Sequence, residues 1–166
     1  QQALLEAVES AFAQLLERTR NLPLAAFVGL PVLVDGLLYN CAALICRGKL
    51  LGVAPKTYLP NYREFYELRQ FTRGDVAIRN EVTLAGQKAP FGTDLLFRHL
   101  EQPKLALFAE ICEDLWVPAP PSSFAALAGA TLVANLSASN VVVGKHQYRR
   151  ELASNQSARC IAAYLY

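Results

Sequence analysis

A thiol and an amine, each at the end of an apolar run, are the residues best suited to chemistry. Cys112 closes the stretch 105–111 and opens the run Cys112-Glu113-Asp114-Leu115-Trp116. A thiol at such a strand end meets turning backbone N–H groups, which can hold negative charge on sulfur or on a carbonyl oxygen. The plainer alternative is a small buried hydrophobe beside two surface acids. Lys56 follows Pro55 at the end of a run that begins near Lys49. A lysine there is commonly a solvated charge. If its strand shares a sheet with that of Cys112, its ammonium can stabilise both a thiolate and an oxyanion. Glu64 and Glu67 lie in an aromatic-rich segment, where surface pairing with Arg63 and Arg69 competes with any role at a site. Ser139 and Lys145 bracket a polar loop that is either solvated or a binder of a substrate carboxylate. His99 and His146 stand alone, without the partner spacing of a metal or catalytic site.

The elements that must carry these residues follow from periodicity. Residues 3–20 predict an amphipathic helix, with Leu4, Leu5, Val8, Phe12, Leu15 and Leu16 at helical spacing, ended by Asn21 and Pro23. A short apolar strand is expected over 25–30. Two more, 37–46 and 49–53, join around Arg47-Gly48-Lys49. Residues 55–75 read as a structured loop with a short helix, and 81–97 as two weak strands around Gly86 and Pro90-Phe91-Gly92. The clearest buried strand is 105–111. After the turn at Pro118 to Pro121, Ser122 is placed to cap a short helix over 124–128. An apolar strand over 131–136, the polar loop 137–140 and a long helix over 145–164 complete the chain. Strands alternating with helices, with hairpin insertions, argue for a layered α/β domain.

With 166 residues, 53% of them hydrophobic and 18% charged, the chain fits one well-packed domain. A net charge of only +2, spread rather than clustered, argues against a nucleic-acid or membrane surface. No apolar run approaches the roughly 20 residues of a membrane span, and the first twenty residues lack a signal-peptide layout. Cys41, Cys46, Cys112 and Cys160 show no metal-like spacing, so reduced thiols and cytoplasmic residence are expected. The absence of any Met suggests an internal piece of a longer protein.

Two segments resemble those of a known family. Gly52-Val53-Ala54-Pro55-Lys56-Thr57-Tyr58-Leu59-Pro60-Asn61-Tyr62, followed by Glu64 to Phe71, resembles the lysine segment of the carbon-nitrogen hydrolases. Ile111-Cys112-Glu113-Asp114-Leu115-Trp116 resembles their nucleophile segment. The continuation through Pro118 to Pro121, Leu127 to Gly129 and Ala134-Asn135-Leu136-Ser137-Ala138-Ser139 is similar to the glutaminase domain of NAD synthetases. The resemblance covers nearly the whole chain. It implies an α/β fold, the nitrilase-type α-β-β-α sandwich, here incomplete, with residues 1–166 as the central part of a single domain.

The same resemblance implies roles. Cys112 would be the nucleophile, Lys56 the oxyanion-stabilising lysine, and Glu67 the glutamate that positions lysine and substrate. Tyr62, Ser139 and Lys145 would bind glutamine, although some family members carry an arginine at the Lys145 position. The family's general-base glutamate would precede Lys56, where this chain has only Glu6, Glu9 and Glu17 on the opening helix. The isolated chain is therefore expected to be inactive. No cofactor is expected in this domain. ATP and magnesium would belong to a synthetase domain of the same polypeptide, absent here, and the parent enzyme would be a homo-oligomer. A stand-alone nitrilase-like amidase and a non-catalytic remnant are the rival readings.

Overall fold

The computed structural model describes residues 2–166, which form two compact units, 2–95 and 96–166. In the first, helix α1 (Gln2–Thr19) is followed by strands β1 (Ala25–Val34), β2 (Leu37–Cys46) and β3 (Lys49–Pro55). These make an antiparallel sheet of order β1-β2-β3. A small hairpin, β4 (Glu81–Leu84) and β5 (Gln87–Pro90), completes the unit. Phe12 and Leu16 of α1 join Leu30, Val32, Tyr39, Cys41, Ala43, Ile45, Val53, Leu84 and Phe91 in one core.

β1 runs four residues beyond the expected 25–30. It continues through Pro31 because β1 is an edge strand in this sheet, so the missing proline N–H interrupts no interior ladder. Asp35 and Gly36 both adopt positive φ, 50° and 78°, the two-residue turn that suits the right-handed twist of a hairpin. Between Leu44 and Ile45 the β2/β3 register shifts by a bulge, after which Cys41 pairs with Pro55. Lys56 N–H then extends the ladder by donating to Asn40 O at 2.8 Å.

The second unit is a mixed sheet of order β6-β7-β8-β9: β6 (Phe97–Arg98), β7 (Ala106–Glu110), β8 (Leu132–Asn135) and β9 (Ala163–Leu165). β6 runs antiparallel to β7, while β7, β8 and β9 are parallel. Helix α2 (Pro121–Leu127) crosses from β7 to β8, and α3 (Lys145–Cys160) from β8 to β9, as parallel neighbours require. Phe108, Ala125, Ala130, Val133 and Ala162 form the core.

Two expectations are corrected here. The helix over 145–164 stops at Cys160, where Ile161 turns left-handed (φ 50°), and Ala163–Leu165 becomes a strand pairing with β8. The apolar Ile-Ala-Ala-Tyr-Leu tail suits a helix or a strand alike, and parallel pairing decides. Ser122 does not cap α2. Pro121 starts that helix, its fixed φ and missing N–H suiting a first helical position, and Ser122 lies buried inside it. No helix among the described residues is long and apolar enough to cross a membrane.

Candidate active site

β3 delivers Lys56 into the interior of its unit, where it is only 1% exposed. Its ammonium is ion-paired with Glu67, which sits in a one-turn 3-10 helix, Glu67–Arg69. Asn40 of β2 donates its side-chain N–H to the other Glu67 oxygen at 3.1 Å. The segment after the lysine folds back through Gly74, whose N–H donates to Lys56 O at 2.8 Å. A Cβ on Gly74 would lie 2.8 Å from Pro55 and Thr93 atoms, so only glycine permits this approach. Surface pairing of Glu67 with Arg63 or Arg69 is thus displaced by a buried pair. A lysine taken out of water at a cost of several kcal/mol is retained by its partner. Tyr62 is half exposed on the same segment, with its ring edge-on to Phe65 at 6.1 Å.

Cys112 stands just past the carboxyl end of β7, where parallel sheets place reactive groups. Its φ is +48°, left-handed for a residue with a Cβ, a conformation that costs roughly 1–2 kcal/mol. The chain then winds into a 3-10 turn, Cys112–Trp116, braced by Asp114, whose carboxylate accepts the Ile111 N–H at 2.9 Å. Asn135, at the end of β8, accepts the Cys112 N–H at 2.9 Å. The thiol is partly accessible, while Cys41 is fully buried and burial pushes its thiol upward in pKa. Burial also pushes up the Cys160 thiol.

Ser139 lies in the loop after β8 and lines a cleft of about 460 Å³ with Ser137, His146, Arg149, Arg150 and Tyr166. Lys145 begins α3. Its ammonium bonds Asn140 Oδ1 and lies 5.2 Å from the centroid of the Trp116 ring, which also packs on Tyr148. Among the described residues no cluster of His, Cys, Asp and Glu could hold a metal ion.

The structure thus joins Lys56 to Glu67 within the first unit. Cys112, Ser139 and Lys145 belong to the second. β3 and β7 lie in different sheets, so the shared sheet that would have linked lysine and thiol is not what the fold uses. Sequence reasoning missed Glu110, 2% exposed on β7, which accepts the Ser122 N–H at 2.9 Å and the Tyr164 hydroxyl. Burial raises its pKa above the ordinary carboxylate value, against the pull of these donors. A lone acid inside the apolar run Leu-Phe-Ala-Glu-Ile was the available signal.

No family model matches the chain. Over its full length it is 49% identical to the glutamine-dependent NAD(+) synthetase of Mycobacterium tuberculosis, of which it covers 24%. It resembles the crystal structure of a glutamine-dependent NAD(+) synthetase from Cytophaga hutchinsonii with a TM-score of 0.78 and 30% identity, over 95% of this chain and 25% of that one. An amidase from Nesterenkonia sp. superposes with a TM-score of 0.70 at 18% identity, over 99% of this chain and 54% of that one. These likenesses define the fold as the nitrilase-type α/β sandwich of the carbon-nitrogen hydrolases, of which the chain carries a part. Within that class, its sequence and its fold are similar to a part of the glutamine-dependent NAD(+) synthetases. The chain spans about a quarter of the length of the curated relatives it matches.

Proposed function

We propose that Cys112 hydrolyses the side-chain amide of glutamine, and that the ammonia supplies ATP-dependent NAD synthesis in a synthetase domain of the same polypeptide. The supporting observation is a left-handed cysteine just past the end of a buried parallel strand, in a chain aligned end to end with NAD synthetases. The thiolate forms an S–C bond to the amide carbon, and the C–N bond breaks as the nitrogen takes a proton and leaves as ammonia. Water then attacks the glutamyl thioester, releasing glutamate and restoring the thiol.

In this reading Lys56 stabilises the oxyanion, with Glu67 holding its ammonium in place. Cys112 N–H is already given to Asn135, so the backbone donors for the oxyanion lie beyond it. Tyr62, Ser139 and Lys145 bind the glutamine end that carries the charges. The general base is a glutamate by resemblance, and none of the chain's own residues is assigned that part. Residues 1–166 act as the central part of one hydrolase domain that needs no cofactor. ATP and magnesium serve the synthetase domain, and the parent works as a homo-oligomer.

The test is ammonia release by the intact protein from glutamine, asparagine and simple aliphatic amides. Glutamine should lead by at least about 10-fold in kcat/KM, since a site built for its polar end leaves those groups unpaired with other amides. Faster hydrolysis of an aliphatic amide would replace this reading with a stand-alone nitrilase-like amidase.

A further inference from the structure

The nucleophile's backbone is held by a chain of hydrogen bonds that the proposed chemistry does not use. Asn135 bonds Cys112 through both ends of its amide: Oδ1 accepts the Cys112 N–H at 2.9 Å, and Nδ2 lies 3.4 Å from Cys112 O. Nδ2 also donates to the Tyr164 hydroxyl at 3.1 Å. That hydroxyl meets Glu110 Oε1, and Glu110 Oε2 accepts the Ser122 N–H at 2.9 Å. Glu110 and Asn135 are register partners on the parallel strands β7 and β8, and Tyr164 reaches them from β9.

The bond directions in this chain run inward from its two backbone ends. Backbone N–H groups can only donate. The Cys112 N–H therefore sets Asn135 with Oδ1 toward the cysteine and its NH₂ toward Tyr164. The tyrosine oxygen, accepting from that NH₂, has its proton left for Glu110. At the far end the Ser122 N–H requires Glu110 to accept as well. A buried carboxylate is costly, and so is a left-handed cysteine. Here the first orients the amide that holds the second.

We propose that Glu110, acting through Tyr164 and Asn135, is a positioning residue that fixes the left-handed backbone of Cys112 for attack. The inference rests on Cys112 being the nucleophile. Its rival is a purely structural clasp of α2 and β9 on the strand ends. Gln156 provides the comparison: it is fully buried and donates to Ser122 Oγ at 2.9 Å and Ser123 Oγ at 3.0 Å, so it meets Glu110 only through Ser122 and none of the links from Glu110 to Cys112.

The experiment uses the intact protein and four variants: Tyr164→Phe, Glu110→Gln, Gln156→Ala and Cys112→Ala. Glutamine kcat and KM, the rate of Cys112 alkylation by iodoacetamide, and the melting temperature are measured for each. Tyr164→Phe loses one hydroxyl and keeps the ring, so it should fold. It should lower kcat by about 10-fold or more with KM nearly unchanged, as expected when a reacting atom is misplaced. Its Cys112 alkylation rate should change in parallel. Glu110→Gln should match it, because an amide cannot accept at both positions. Gln156→Ala should lower the melting temperature while leaving kcat within about twofold. An unchanged kcat in Tyr164→Phe, or a kcat loss in Gln156→Ala equal to that of Tyr164→Phe, would overturn the positioning role. Retained glutaminase turnover in Cys112→Ala would instead remove the nucleophile reading on which it rests.

Discussion

Removing Glu67 alone from the Lys56–Glu67 pair should cost more than removing both charges together. Lys56 is 1% exposed and its ammonium meets the Glu67 carboxylate, whose side chain is 23% exposed. Glu67→Gln leaves a buried cation without its counter-charge, a change that costs roughly 3–5 kcal/mol. Water can reach the glutamate side, so about 3 kcal/mol is the expected figure. Lys56→Met keeps the length and removes the charge. It leaves Glu67 with its Asn40 hydrogen bond at 3.1 Å and partial solvation, for a loss of about 1–2 kcal/mol. The double variant has neither stranded charge and should lose only about 2 kcal/mol, giving a coupling of about 2–3 kcal/mol. Native-state hydrogen exchange of the β2 and β3 amides in the intact protein measures these opening free energies locally. Additive losses, with coupling below about 0.5 kcal/mol, would show that the pair does not hold the lysine.

Lys56→Ala should reduce glutamine turnover by about 100-fold or more, the usual loss for an oxyanion donor, whereas changing Lys49, Lys88 or Lys104 should do little; steady-state ammonia release distinguishes them. Lys145→Ala removes the contacts to Asn140 and Trp116 and should raise the glutamine KM more than it lowers kcat. A pure kcat loss would move Lys145 into the chemistry. Because burial raises the Glu110 pKa above its ordinary 4.5, the folded form holds that proton longer than the unfolded chain. Stability from this group is therefore full below 4.5 and falls as pH rises toward the folded value. Urea midpoints from roughly pH 4 to 8 should show that slope in the wild type and its absence in Glu110→Gln.

Legibility in the sequence divided along physical lines. The amphipathic period of α1 and the apolar run leading to Cys112 were plain, because each signal is local. The Arg47-Gly48 hairpin was visible too, whereas the Asp35-Gly36 turn lies beyond the strand expected over 25–30 and shows itself only in the pairing of β1 with β2. β9 was read as helix since three residues carry too little period to tell, and only the edge of β8 decides the matter. The burial of Lys56 was not legible from its neighbours. It depends on Gly74 and Glu67 folding back eleven and more residues later. The Glu110–Tyr164–Asn135 chain was the least visible, because its members come from three strands up to 54 residues apart.

The central claim is that Cys112 forms a covalent bond to the glutamyl carbon, and labelling tests it most directly. The intact protein is treated with a glutamine analogue bearing an electrophilic diazoketone in place of the amide, and its peptides are mapped by mass. The label should fall on Cys112 alone among Cys41, Cys46, Cys112 and Cys160, be suppressed by excess glutamine, and abolish ammonia release in step with its incorporation. Complete labelling of another cysteine, or full glutamine turnover by a protein with Cys112 blocked, would contradict the account.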